Sequence, residues 1–142
     1  MNKKDYVFCF ASTKTPQEIY GLLLQIDKWW SGFYDEQISG SSQQLQDEFS
    51  FTAGNGLHYS KQKLVELVPG KKIAWLVTDS QLSFVADKAE WNQTKLIFDI
   101  EEDRKRTHVT FTHQGLTPHL ACYDSCSGAW SQYMNQLKVH LS

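Results

Sequence analysis

Four side chains near the C-terminal end carry most of the reactive chemistry in this sequence: His113, His119, Cys122 and Cys126. His113 closes an alternating apolar stretch, Val109-Phe111-His113. An imidazole there could orient a ligand's polar group or act as acid or base near neutral pH. The competing role is a core-edge histidine bonded to backbone. Cys126, if it meets His113, could be a thiolate nucleophile. No third orienting group or oxyanion hole is recognisable, and buried cysteine usually behaves as a small hydrophobe. No catalytic residue is therefore assigned. His119, Cys122 and Cys126 fall at i, i+3 and i+7, so one helix face could offer all three to a metal, with His113 as a fourth ligand. Zinc sites usually draw tightly spaced pairs from separate elements, so apolar packing is the expectation and neither metal nor other cofactor is assigned. Glu90 and Asp79 could serve as acids in lyase or hydrolase chemistry, although strand-end carboxylates are commonly solvated.

These residues need elements to position them. Residues 5–11 read as a first strand. Thr15, Pro16 and Glu18 then form a capping box with proline at the first helical position. Ile19, Leu22, Leu23, Ile26, Trp29 and Trp30 follow at helical spacing, as one helix or as two short ones broken near Asp27. From Gln44 to Ala53 the period becomes two, with Leu45, Phe49, Phe51 and Ala53 on one face with Asp47. Gly54-Asn55-Gly56 turns the chain into a strand over 57–68, where mixed parity suggests a bulge. Pro69-Gly70 turns it again into Lys72–Thr78, and a weaker strand is expected over 82–86. Thr94–Glu101 and Thr107–His113 form a hairpin around a solvated charged tip at 101–106. Tyr123, Cys126, Trp130, Met134 (or Tyr133), Leu137 and Leu141 then recur every three or four positions in a long final helix. A helix laid across a curved antiparallel sheet buries these faces efficiently, so the fold class is α+β.

The 142 residues fit one domain over 1–142, with no repeat or linker to divide them. The net charge of −2 and mixed charges give no basis for nucleic-acid binding. The apolar run after the basic start is too short for a signal peptide, no stretch could span a membrane, and three cysteines make no disulfide framework. A cytoplasmic protein is expected. Aromatic residues make up 13% of the chain, which implies either a massive core or a ring-lined cavity.

Several pieces, in order, resemble a known family: Thr15-Pro16-Gln17-Glu18-Ile19, the Trp29-Trp30 pair, Val65-Glu66-Leu67-Val68-Pro69 and Glu90-Trp91. Phe111-Thr112-His113-Gln114-Gly115-Leu116 and Cys122-Tyr123…Cys126…Ala129-Trp130 complete the set. The chain resembles the START-like (SRPBCC, helix-grip) superfamily, in the branch named for the activator of heat-shock-protein ATPase. The resemblance implies a sheet of six to seven strands gripping the C-terminal helix around a cavity for a small apolar or aromatic molecule. It places Trp30, Phe49, Phe51, Trp75, Val77, Phe98, Phe111, His113, Tyr123, Cys126 and Trp130 in the wall. It also leaves open a chaperone-cofactor or stress-response role, and a cavity enzyme (cyclase or hydrolase) using His113. The namesake works beside a second domain, for which this chain has no room. The protein would be a monomer, or a homodimer through an exposed sheet edge.

Overall fold

A computed structural model describes residues 4–142. Strand β1 (Tyr6–Ser12) leads into α1 (Pro16–Leu23) and the short α2 (Ile26–Trp29). Then come β2 (Gln37–Gly40), β3 (Glu48–Ala53), β4 (His58–Val68), β5 (Lys72–Leu82), β6 (Lys95–Asp103) and β7 (Arg106–Gln114). The chain ends in α3 (Tyr123–His140). The seven strands form one curved antiparallel sheet in the order β1-β7-β6-β5-β4-β3-β2, so β1 closes back on the last strand. This is the helix-grip architecture expected.

Local chemistry fixes the elements that flank the site. Thr15 caps α1 by accepting from the Glu18 N–H, while the Glu18 carboxylate accepts from the Thr15 N–H. The helix stops at Leu24, before Asp27, and the buried Trp29 indole donates to the Leu23 carbonyl at 2.9 Å. That bond satisfies a carbonyl that the end of α1 would leave unpaired. At the far end, α3 has no side-chain cap of its own. The Glu90 carboxylate, in the loop after β5, instead accepts from Ala121 N–H (2.9 Å) and Cys122 N–H (3.0 Å). A negative charge at this end also complements the helix dipole.

The bulge in β4 is present and explains its mixed parity. The register with β5 shifts between Lys61 and Gln62 and again between Leu64 and Glu66. Before the second shift Ser60, Gln62 and Leu64 are buried; after it the inward parity is that of Val65 and Leu67.

Two sequence expectations need correction, and one strand lies where none was expected. Residues 44–47 are not strand: Asp47 folds back to accept from the Gln43 and Gln44 N–H groups, Gln46 takes a positive φ, and Leu45 is half exposed. No strand covers 82–86, because β5 itself runs on to Leu82 and a loop follows. That loop folds back along β5, with Leu82 N–H on Lys88 O and Gln93 N–H on Val77 O. Finally, β2 was not anticipated. Its four residues hold one large apolar side chain, Ile38, and pair with Phe49–Thr52.

The core lies between the concave face of the sheet and the helices. Trp75, Phe98, Phe111, Val109 and Leu96 from the strands meet Trp29, Trp130, Met134 and Leu137 from the helices.

Candidate functional site: a ring-lined cleft beside the C-terminal helix

Four segments converge on a cleft of about 310 Å³ that opens to solvent between α3 and the sheet. The segment after α2 supplies Trp30 and Tyr34; the β3–β4 hairpin supplies Phe51, Ala53, Gly54, Leu57 and His58. The loop after β5 supplies Phe84 and Trp91, and the first half of α3 supplies Ser125, Cys126, Ala129, Trp130 and Tyr133. No Asp, Glu, Lys or Arg lines it.

The indoles form a layered wall. Trp30 lies stacked on Phe51, with centroids 3.9 Å apart, and is inclined by 28° to Trp130. Trp130 in turn is nearly parallel to Trp91, at 10°. Stacked and edge-on ring pairs of this kind add roughly 0.5–1.5 kcal/mol each beyond area burial. They hold the wall stiff.

The mouth is shaped by one carboxylate. Glu36 accepts N–H bonds from Gly32 (2.9 Å), Phe33 (3.1 Å) and Tyr34 (3.0 Å), and the Tyr133 hydroxyl at 2.5 Å. Burial pushes the Glu36 carboxyl upward, but these donors outweigh it and hold it below the usual carboxylate range. Burial and the adjacent carboxylate push the Tyr133 phenol up, so it remains a donor. The result anchors Phe33 and Tyr34, both exposed; Phe33 packs on Tyr133, and Tyr34 shares the cleft lining with exposed Leu57 and Phe84.

His113 is fully buried and does not line the cleft. Its Nδ1 accepts from the Trp130 indole N–H at 3.0 Å. That bond places the proton on Nε2, which faces Thr94 Oγ1 at 2.9 Å. The Thr94 hydroxyl then donates to the Trp91 carbonyl at 2.6 Å. Both ring nitrogens of His113 and the Thr94 hydroxyl are thereby matched. Desolvation by burial, with a smaller contribution from His58, pulls the His113 pKa down to about 3. The imidazole is a neutral strut that fixes two wall tryptophans, with side-chain partners where backbone ones were expected.

The other expected wall residues divide. Trp30, Phe51, Cys126 and Trp130 line the cleft. Phe49, Trp75, Val77, Phe98 and Phe111 pack in the core beneath it. Tyr123 is half-buried at the start of α3, outside the lining. Cys122 lies buried beside Cys126, and its thiol pKa is pushed up by the Cys126 contact and by burial, which argues against a thiolate. His119 is exposed and precedes α3, so it cannot share a helical face with the two cysteines; no metal-holding cluster of three such residues occurs among the described residues. Asp79 is exposed and bonds the Ser80 N–H.

Sequence reasoning missed His58. Its ring packs edge-on to Trp91 (4.5 Å) and Phe51 (5.4 Å), and Phe84 lies nearly parallel to it. Burial lowers its pKa to about 4, and its Nε2 is buried without a hydrogen-bond partner. The Trp91 indole N–H also lacks a hydrogen-bond partner. The signal was the β4 parity: Ser60, Gln62 and Leu64 point inward ahead of the bulge, and His58 continues that row.

A curved antiparallel sheet closed around a C-terminal helix, with a ring-lined cleft between them, defines a helix-grip protein of the START-like class. The sequence matches the family described as Activator of Hsp90 ATPase homolog 1-like protein over residues 16–142, and the chain belongs to that family. No curated protein matches it in sequence. Among solved structures, it is similar to the Aha1 dimer of Colwellia psychrerythraea, at 22% identity and TM-score 0.74, covering 97% of this chain and 96% of that one. It is also similar to an HSP90 activator of Plasmodium falciparum, at 10% identity and TM-score 0.64, covering 96% and 95%. DynU16, from the dynemicin biosynthetic locus, superposes at 9% identity and TM-score 0.66, covering 99% of this chain and 48% of that one. At such identities the likeness is one of fold. No helix among the described residues is long and apolar enough to cross a membrane.

Proposed function

We propose that this protein binds a small apolar molecule in the cleft between α3 and the β3–β4 hairpin. The observation that carries this reading is a cleft of about 310 Å³ with no Asp, Glu, Lys or Arg in its wall. That volume is at the lower end of the usual range for small-molecule sites. The mechanism is burial of ligand surface against rings, worth roughly 25 cal/mol per Å² before ordering costs. A cavity enzyme using His113 finds little support, since both ring nitrogens are occupied and the ring stands behind Trp91 and Trp130.

Native mass spectrometry on protein purified gently from its own host tests the reading. It should show a reproducible added mass of a few hundred daltons (on the order of a drug-sized molecule), absent from an Ala129→Trp variant that fills the cleft. A clean apo mass, with no thermal shift across a panel of apolar compounds, would contradict it.

A second reading rests on the rim. Phe33, Tyr34, Leu57 and Phe84 are all exposed. Together with the family's name, this favours a partner of the Hsp90 ATPase type docking over the mouth. Such a partner should be retained by the wild type and lost from a Phe33→Ser/Phe84→Ser double variant in a pull-down with purified chaperone.

A further inference from the structure

We infer that the cleft selects uncharged, planar aromatic molecules carrying a hydrogen-bonding oxygen, such as an aryl ketone or phenol, with His58 as the polar handle. This rests on the cleft being a ligand site, and it goes further by naming the ligand's chemistry.

Three independent features converge. The wall is built from near-parallel rings, Phe51 on Trp30 and Trp130 beside Trp91, with interplanar angles of 13° and 10°. A flat ring can extend such a stack, whereas a puckered aliphatic ring of equal volume meets it only at its edges. The wall also offers nothing to compensate a charge: no Asp, Glu, Lys or Arg lines the cleft. Moving an ionised carboxylate or ammonium from water into it would leave its desolvation without a charged partner. The third feature is polar. The two tyrosine hydroxyls on the wall are committed, Tyr34 to Gln132 and Tyr133 to Glu36. His58 Nε2 and the Trp91 indole N–H are not, although both are buried.

A buried polar atom without a partner is destabilising, so a ligand that supplies the partner gains that stabilisation on binding. Neutral imidazole can either donate or accept at Nε2 according to tautomer, so it serves a ketone oxygen or a phenol hydroxyl equally. Burial keeps it neutral at physiological pH, since its pKa falls to about 4. Access runs past Phe84, which lies over the imidazole at 20° and is itself exposed. Leu57, the neighbour of His58, is exposed as well. Both side chains can swing outward without opening the core.

The test is calorimetric titration of the full chain with four bicyclic probes: naphthalene, acetonaphthone, naphthoate and decalin. The expected order places acetonaphthone about tenfold tighter than naphthalene, the gain of one net hydrogen bond. Naphthoate and decalin should each bind at least about tenfold more weakly than naphthalene. His58→Leu should abolish the preference for acetonaphthone over naphthalene, and His58→Gln, which retains a donor and an acceptor, should keep part of it. Equal binding of naphthalene and acetonaphthone, or naphthoate binding as tightly as the ketone, would overturn the selectivity while leaving a ligand-binding cleft in place. An unchanged ketone preference in His58→Leu would overturn the role of His58. If no probe binds, and Ala129→Trp behaves as wild type towards all of them, the cleft reading falls as well.

Discussion

Lowering the pH from about 7.5 to about 5 should weaken this fold by roughly 4 kcal/mol, and His113, fully buried, and His58, half-buried with its Nε2 enclosed, are the cause. His113 and His58 each have an ordinary pKa of 6.5 that burial pulls down to about 3 and about 4 respectively. Both therefore stay neutral in the folded chain at a pH where the unfolded chain would protonate them. The unfolded state binds more protons in that window, so stability is present above about pH 6.5 and is lost as pH falls towards the folded values. At pH about 5 each site contributes a loss of about 2 kcal/mol, worked from the ratio of protonated populations in the two states. For a domain of this size the loss corresponds to a fall in Tm of roughly 10 °C. Glu36 does not confound the measurement. Its folded pKa is depressed from 4.5, so its contribution is lost only below that value. Urea unfolding at the two pH values reads the difference directly. His58→Leu should remove about half of the pH dependence whatever it does to absolute stability. Equal stability at both pH values, or a rise at the lower one, would refute the assignment of neutral buried imidazoles.

The remaining structural couplings give three more expectations. Trp130→Phe keeps a ring in the wall but leaves His113 Nδ1 without its donor, so it should cost about 1–3 kcal/mol in an unfolding curve. Glu90→Ala removes the acceptor for two N–H groups at the start of α3 and should cost about 0.5–2 kcal/mol, with faster amide exchange at Ala121 and Cys122. Glu36→Gln should cost about 1 kcal/mol and loosen the mouth, seen as faster exchange of the Gly32, Phe33 and Tyr34 amides.

The scaffold was legible because its signals are local and periodic. The capping box at Thr15, the alternation in β6 and β7 and the helical recurrence from Cys126 to Leu137 each reflect one element burying one face. The turn at 44–47 and strand β2 were hidden for the opposite reason. A side-chain bond from Asp47 overrode an apparent alternation, and β2 is held by its pairing with β3 more than by its own sequence. The site was harder still. Alternation says that Phe51 and Phe98 both point inward, but not that Phe51 reaches a cleft while Phe98 is covered by Trp29, 5.2 Å away. Nor does spacing reveal that His113 spends its ring on Trp130 and Thr94, partners 17 and 19 residues away. Such pairings depend on which helix lies over which strand, and only the assembled fold fixes that.

The most direct test of the cleft as a binding site is a nitrogen-labelled NMR titration with acetonaphthone, following the indole N–H signals of the five tryptophans. Saturable shifts are expected at Trp30, Trp91 and Trp130 and at the Phe51, His58 and Ala129 amides, with Trp75, held by Ser42 at 2.9 Å in the core, nearly unmoved. Shifts confined to the outer face or to the β1 edge, or none at all at probe saturation, would contradict it.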